Sequence, residues 1–565
     1  MFISKSTRRN WDRLKTEESS RLTRRANKRL SAKKIMPVEA FINKDNRLAV
    51  LDILSALDDS AFSMTDLLCS VAENLFSVRG ILYNSNVQTV LAKYPYRRIA
   101  GVINAELPQD ENDLLGIIYQ AGSAEGKKNQ HGSYYTPRKI TAEMGALLTF
   151  ENGEIFLDPC CGSGAFLLAV PCDTPQLLYG IDRDPFAVMI AEFNMLLRFH
   201  DKNFIPNIFC GDFLTDNPLK DHSFDYIVTN PPWGAFSGIV PEIAEITSQE
   251  TFSLFFVKAF RQLKENGIVR FLLPEAILNV KIHKDIRRFM LENCCLENMV
   301  LHGRLFSGVT TGFVDLMCRK GRKNDTVTVK KDGSAFEVDT AVFTENKNNV
   351  FSLLTPQDRT VIEQCRELGR YTLEKSRWAL GIVTGDNRGK LKAGPEPHTE
   401  AIYTGREIVP YGLKAPQNYI LYDRSALQQV AGEEYYRAAE KLVYKFISNK
   451  LVFAYDDKQR LFLNSANILI PEIPGMSIKT VLAFLNSELF TFLYQKMFGE
   501  VKILKGNLLQ LPFPDISREA DRRISALTDR VIAGNESYET LQDEIYAQFK
   551  LTADQISYIK KRPAI

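Results

Sequence analysis

Glu154-Ile-Phe-Leu157-Asp-Pro-Cys-Cys-Gly-Ser-Gly164-Ala-Phe-Leu-Leu-Ala169 reads as a strand, a tight turn and the start of a helix. The apolar run Ile155–Leu157 ends in an acid, Asp158. Gly162 and Gly164 supply the backbone freedom that a turn pressed against a ligand requires. A phosphate-binding loop would carry more glycines or end in Gly-Lys-Ser/Thr. This one has no lysine, and an acid beside it suits a cationic ligand better than a pyrophosphate.

The same texture continues outward. Leu177-Leu-Tyr-Gly-Ile181, Asn207-Ile-Phe-Cys210, Tyr226-Ile-Val228 and Gly267-Ile-Val-Arg-Phe-Leu-Leu273 are short apolar runs separated by helical segments. Strands alternating with helices predict a mostly parallel sheet, an α/β domain of the Rossmann-like class spanning about 131–325. Ligands on such sheets bind at the carboxyl ends of the strands. The second run ends at Gly180-Ile-Asp182, where an acid is placed for ribose hydroxyls. The third ends at Cys210-Gly-Asp-Phe213, where Asp212 is placed for an adenine amine and Phe213 for the ring face. An acid at one strand end is often only a helix cap. Three in succession point to a pocket for a nucleoside with a positive charge, such as a sulfonium.

The fourth run, Phe224-Asp-Tyr-Ile-Val-Thr229, ends in Asn230-Pro-Pro-Trp233. Two prolines fix the backbone and remove two N–H donors. Acceptors remain: the carbonyls and the Asn230 side chain. Such a cluster suits an –NH2 group, whose lone pair is freed for attack when its hydrogens are drawn to acceptors. Trp233 offers a stacking face. A methyl carried on a sulfonium needs no further activation, so the chemistry demands alignment and electrostatics rather than a metal.

These segments resemble the gamma-class (TaqI-type) DNA adenine-N6 methyltransferases. Ser133-Tyr-Tyr-Thr-Pro137 looks like motif X of that family, Asp158–Gly164 like motif I and Asn230–Trp233 like motif IV, in the family order. The resemblance is clearest over about 110–320. It implies S-adenosyl-L-methionine as cofactor and double-stranded DNA as substrate, with the target adenine flipped out of the helix. Tyr134, Thr136 and Pro137 would then line the methionine end. Asp158, Cys160, Gly162, Gly164 and Phe166 would form the cofactor loop, Asp182 would meet the ribose, and Asp212 with Phe213 the cofactor adenine. Asn230 and Pro231 would hold the target amine, with Pro232 fixing the turn, Trp233 stacking on the base and Asn230 bordering the cofactor as well. Trp233 stands where Tyr is commoner, and Cys160-Cys161 where small residues are usual. Phe306–Thr311 resembles the family segment near the flipped base. Trp378–Gly385, Leu463–Asn467, Leu485–Ser487 and Leu508–Pro514 resemble a C-terminal target-recognition region.

Around this core, five regions are expected: a basic arm (1–37), a helical region (38–130), the catalytic domain (131–325), a mixed α/β target-recognition domain (326–515) and a helical end (516–565). Ser63-Met-Thr-Asp66 marks a helix start in the second region, and Gly122–Gly132 a linker. Residues 1–34 hold twelve Lys or Arg against three acids, although the whole chain is only +3. That arm suits phosphates or solvent equally. Lys441, Lys445, Lys502 and Lys505 are candidate DNA contacts. Nine cysteines without a C-x-x-C pair, and six dispersed histidines, suggest free thiols and no structural metal. A charged N-terminus and the lack of a long apolar run predict a cytoplasmic protein without a membrane span. The resemblance implies either the modification enzyme of a restriction-modification system, with a cognate restriction endonuclease as partner, or a solitary methylase, and no nuclease constellation stands out in the first 130 residues. Methylation of an amide or amino nitrogen in RNA or protein remains an alternative, as does a non-catalytic DNA-binding subunit. The long C-terminal region and the intact Asp158, Gly162, Gly164 and Asn230 weigh against them.

Overall fold

A computed structural model describes residues 46–55, 62–108, 113–122, 136–236, 238, 240, 243–303, 312–321, 324–331, 333–344, 348–498 and 502–561. The chain divides into two compact units, Met1–Phe351 and Ser352–Ile565. The basic arm, Gly132, Tyr134 and the Phe306–Thr311 segment lie outside the described residues.

The first unit is built on one nine-stranded sheet. Its strands are β1 (Phe156–Asp158), β2 (Leu178–Asp182), β3 (Asn207–Cys210), β4 (Phe224–Thr229), β5 (Leu263–Pro274), β6 (Cys294–Gly303), β7 (Phe313–Lys320), β8 (Thr326–Lys331) and β9 (Ser334–Asp339), and their order is 3-2-1-4-5-7-6-8-9. β1 to β5 run parallel, and β7 is inserted antiparallel between β5 and β6. Parallel strands are covered on both faces, so they read as continuous apolar runs. Phe156, Leu157, Ile181, Ile227, Val228, Phe271 and Leu272 are buried accordingly. From β1 the chain proceeds to β2 and β3 on one side and then crosses to β4 on the other. The crevice between β1 and β4 is therefore the switch point where such sheets take their ligands.

The sheet does not stop at 325. β8 pairs with β6, β9 closes the edge, and Val327, Val329 and Val338 are buried against the unit. The expected boundary falls inside a sheet because a hydrogen-bonded β6–β8 ladder spans it. The helical region is likewise no separate layer. The expected helix start at Ser63–Asp66 is realised as a capping box, with Ser63 and Asp66 bonded to each other's backbone at the head of helix Met64–Val78. Phe76 from that helix and Tyr94 meet Phe193 edge-on at 5.8 and 5.7 Å. Phe193 lies on Pro185–Arg198, the helix that follows β2, so one core serves both.

A buried ion pair locks the sheet's far side. Arg270 of β5 donates from Nε and Nη2 to the two oxygens of Asp315 on β7, at 2.8 and 2.5 Å. Its Nη1 donates to the carbonyl of Met144 at 2.6 Å. Helix Arg138–Gly145, which begins directly after Thr136 and Pro137, is anchored to the sheet by that bond.

In the second unit, Arg377–Leu380, Ala466–Ile470, Lys441–Lys445 and Phe453–Asp456 form an antiparallel sheet in that order. A smaller sheet joins Leu391–Lys392, Asn418–Leu421, Thr399–Tyr403 and Leu461–Phe462. Helices Arg518–Ile532, Tyr538–Gln548 and Ala553–Lys560 confirm the helical reading of the C-terminus, but they share a core with Val361, Phe484 and Phe513 rather than forming a detached end. Asn486, singled out in the sequence, brackets Phe453: its Oδ1 accepts from that residue's N–H at 2.8 Å and its Nδ2 donates to the carbonyl at 2.9 Å.

Candidate active site

β1 delivers Asp158 to the crevice, and β4 delivers Thr229 and Asn230 beside it. Thr229 Oγ1 donates to Asp158 Oδ1 at 2.6 Å, and the Cys160 N–H donates to the same oxygen at 3.2 Å. Cys160 Sγ lies 2.8 Å from Thr229 Oγ1 and donates to the carbonyl of Asn230 at 3.3 Å. The Asp158–Gly164 loop and the Asn-Pro-Pro-Trp turn are thus bonded through three side chains. Gly162 and Gly164 have φ of 53° and 91°, the left-handed region where a side chain is strained. The Gly162 N–H donates to Asp182 Oδ2 at 2.8 Å and the Asp184 N–H to Oδ1 at 2.9 Å, which fixes the acid at the end of β2.

A cavity of about 350 Å³ opens at these strand ends. Of the residues expected from sequence, it is lined by Thr136, Asp158, Cys160, Gly162, Phe166, Asp182, Asp212, Phe213, Asn230, Pro232 and Trp233. Pro137, Gly164 and Pro231 stand behind it: Pro137 precedes helix Arg138–Gly145, Gly164 precedes helix Ala165–Ala169, and Pro231 is buried in the turn. Asp212 Oδ1 accepts from the Leu214 and Thr215 N–H groups at 2.8 and 3.3 Å, so one of its oxygens is committed to the turn. Phe213 is tilted against Phe255 at 5.2 Å. Asn230 Nδ2 donates to Thr136 Oγ1 at 3.2 Å, and Trp233 leans on Phe313 at 4.8 Å.

Electrostatically the cavity is acidic. Four carboxylates, Asp158, Asp182, Asp184 and Asp212, line it against Arg183, the one basic side chain among the described lining residues. Burial pushes the Asp158 carboxyl up to about 7, against the pull of the Thr229 and Cys160 hydrogen bonds, and burial raises Asp182 as well. Two neighbouring acids, Asp158 buried and Asp182 half-buried, favour a ligand that brings positive charge.

Among the lining residues that escaped the sequence reading are Tyr119 and Asp184. Tyr119, on helix Leu114–Gly122, donates its hydroxyl to Asp184 Oδ2 at 2.7 Å and stacks on Phe186 at 5.4 Å. Asp184 also caps helix Pro185–Arg198 through the Phe186 N–H. The Asp-Pro pair signals that cap in sequence; nothing local signals Tyr119, which reaches the site only through tertiary packing. Among the lysines, Lys441 is a correction. Its side chain is 0% exposed, pairs with Asp456 at 2.5 Å and donates to the carbonyl of Tyr436 at 2.7 Å, so it is not available to a phosphate. The strand position turned it into the sheet's interior. Lys502 and Lys505 are exposed and Lys445 half-buried.

Residues 110–370 match the N-6 DNA methylase family, and residues 400–513 match the TaqI-like C-terminal specificity domain. The type II methyltransferase M.VspI of Vibrio sp. (strain 343) is 30% identical over 317 residues, which cover 53% of this chain and 76% of that protein. The chain belongs to the N-6 DNA methylase family. It is an adenine-N6 DNA methyltransferase by that membership, with relatives in restriction-modification systems. The methylase subunit of the type I restriction enzyme EcoEI from Escherichia coli is 30% identical over 228 residues, 35% of this chain and 44% of that subunit. Among solved structures, the type IIL restriction-modification enzyme MmeI in complex with DNA shares the fold with a TM-score of 0.58 at 12% identity, covering 92% of this chain and 98% of MmeI. Among the described residues of this methylase, no helix is long and apolar enough to cross a membrane.

Proposed function

We propose that this chain is a site-specific methyltransferase that modifies N6 of an adenine turned out of double-stranded DNA, as the modification enzyme of a restriction-modification system whose endonuclease is a separate partner. One observation carries the reading: the acid-bearing loop of β1 and the Asn230-Pro-Pro-Trp233 turn of β4 border the same cavity. The donor set fits S-adenosyl-L-methionine, because four carboxylates answer a sulfonium and an ammonium. When bound, that cofactor supplies a methyl group on positively charged sulfur.

The chain's own residues do the rest. Asp182 and Asp158 hold the cofactor's polar groups, and Phe213 and Phe166 cover apolar surface. The Thr136 bond fixes the rotation of the Asn230 amide, so that Asn230 Oδ1 and the Pro231 carbonyl accept from the two hydrogens of the target amine. Trp233 stacks on the flipped base. No strong base is required, since the amine's proton leaves after its charge has developed, and electrostatic alignment supplies the rate. Lys445, Lys502 and Lys505 remain candidate phosphate contacts of the specificity domain.

Asn230→Ala tests the reading. DNA from cells expressing the wild-type chain is expected to contain N6-methyladenine in one sequence context by nucleoside mass spectrometry and single-molecule sequencing. DNA from the variant should lack it, although the purified variant still binds S-adenosylhomocysteine. N4-methylcytosine in place of N6-methyladenine, or wild-type modification by Asn230→Ala, overturns the assignment.

A further inference from the structure

Asp113 sits one residue before helix Leu114–Gly122, outside the three motifs, yet its carboxylate is the hub of a buried knot. Ser163, inside the Gly162-Ser-Gly164 turn, donates its hydroxyl to Asp113 Oδ2 at 2.5 Å. Asn194, on the helix after β2, donates from Nδ2 to Asp113 Oδ1 at 2.7 Å and to the carbonyl of Ser163 at 2.9 Å. The Gly116 N–H donates to Asp113 Oδ1 at 3.0 Å. The glycine is required there: a Cβ at 116 would lie 2.5 Å from both carboxylate oxygens. Three turns of chain meet on this one acid.

The same helix reaches the cavity a second time through Tyr119, which lines it, stacks on Phe186 and holds Asp184. A second cavity of about 180 Å³ lies between these contacts and helix Arg138–Gly145. Asp113, Ile117, Gln120, Thr136 and Arg138 line it, and it shares Thr136 and Ala165 with the first. Helix Leu114–Gly122 thus grips the cofactor loop at one end and the acid after β2 at the other.

We infer that helix Leu114–Gly122 is a clamp on the cofactor site, with Asp113 and Tyr119 as positioning residues that hold Ser163 and Asp184 in their binding geometry. The helical N-terminal region then has a task in the methylase: its docked state is the state that binds cofactor. The sequence Asp113-Leu-Leu-Gly116-Ile-Ile-Tyr119 encodes it, with the acid and glycine placed for the knot and the tyrosine one and a half turns on for the wall. The inference rests on the cofactor assignment above.

Calorimetric titration with S-adenosylhomocysteine and S-adenosylmethionine tests it on three variants. Tyr119→Phe keeps the stack on Phe186 and loses the bond to Asp184. Asp113→Asn keeps the volume and loses the charge. Gly116→Ala drives a methyl into the Asp113 carboxylate although alanine is the better helix former. Each is expected to raise Kd for both ligands by roughly tenfold to a hundredfold, as the loss of one hydrogen bond to a charged group does. The KM for cofactor should rise in step, while kcat at saturating cofactor stays near that of the wild type. Variants that bind as tightly as a ligand-binding wild type, or that melt earlier with Kd unchanged, overturn the inference alone. A wild-type chain that binds neither ligand overturns the cofactor assignment itself.

Discussion

Thr229 Oγ1 donates to Asp158 Oδ1 at 2.6 Å, joining the end of the strand that leads to Asn230 to the acid that opens the glycine-bearing loop of β1. The contact makes the loop and the Asn230–Trp233 turn one mechanical piece. Thr229→Val keeps the shape and deletes the donor. A buried carboxyl that loses a hydrogen bond costs about 1–3 kcal/mol, and the remaining Cys160 N–H at 3.2 Å offsets part of this. The variant is expected to unfold at lower denaturant and to bind S-adenosylmethionine more weakly at pH 7, with partial recovery at pH 9. Unchanged affinity across that range would show that the bond has no role in binding.

Asp158 itself predicts a pH dependence. Burial raises its carboxyl from an ordinary value near 3.8 to about 7. In the cofactor-free protein, the stability this group contributes is fully present below about pH 4 and is lost as pH rises through 7. Binding a cation requires the carboxylate. Affinity for S-adenosylmethionine should therefore climb between pH 6 and 8, by at most about tenfold per pH unit below the pKa. S-adenosylhomocysteine, which lacks the sulfonium charge, should show the smaller climb. Asp158→Asn should flatten the profile. Titration calorimetry at three pH values decides, and parallel profiles for the two ligands would remove the acid from sulfonium recognition.

Trp233 lies at the cavity edge and leans on Phe313 with ring centroids 4.8 Å apart. Stacking of one base on an aromatic side chain is worth about 1–3 kcal/mol, or roughly tenfold to a hundredfold. Trp233→Ala should lower kcat/KM for DNA by that factor and reduce the fluorescence rise of a 2-aminopurine placed at the target position. Trp233→Phe should retain most of both. Equal effects from the two substitutions would mean that Phe313 packing, not base stacking, is what Trp233 supplies.

Much of this site was legible because its chemistry is written into consecutive residues. A strand that ends in Asp158-Pro-Cys-Cys-Gly-Ser-Gly164 and one that ends in Asn230-Pro-Pro-Trp233 carry their geometry with them: φ > 0 at the glycines, no donors at the prolines. The sheet placed both at the switch point. What stayed hidden depends on packing between distant segments. Tyr119 reaches Asp184 across 65 positions of chain, and no local pattern reports that. Thr326–Lys331 reads in sequence like any amphipathic strand, and only its ladder with β6 places it in the first unit. Lys441 failed for a related reason. A charge in a sequence looks solvated, and the alternation of its strand decides otherwise.

That lysine yields the sharpest separation between structure and function. Lys441 and Asp456 face each other across adjacent strands, both fully buried, with Arg460 also 2.7 Å from Asp456. Removing one partner of a buried pair costs about 3–5 kcal/mol, because the other is left charged without an answering group. Arg460 partly answers Asp456, so Lys441→Met should fall at the lower end, measured by denaturant unfolding. Lys441→Met and Asp456→Leu together, which removes both fully buried charges and leaves Arg460 to the solvent it partly reaches, should recover much of the loss. DNA binding should separate the lysines in a second way. Each phosphate contact removed lowers the slope of log affinity against log salt by about 0.9. Lys502→Ala and Lys505→Ala are expected to show that change with normal stability. Lys441→Met, once folded, should keep the wild-type slope; a reduced slope there would return Lys441 to the DNA interface.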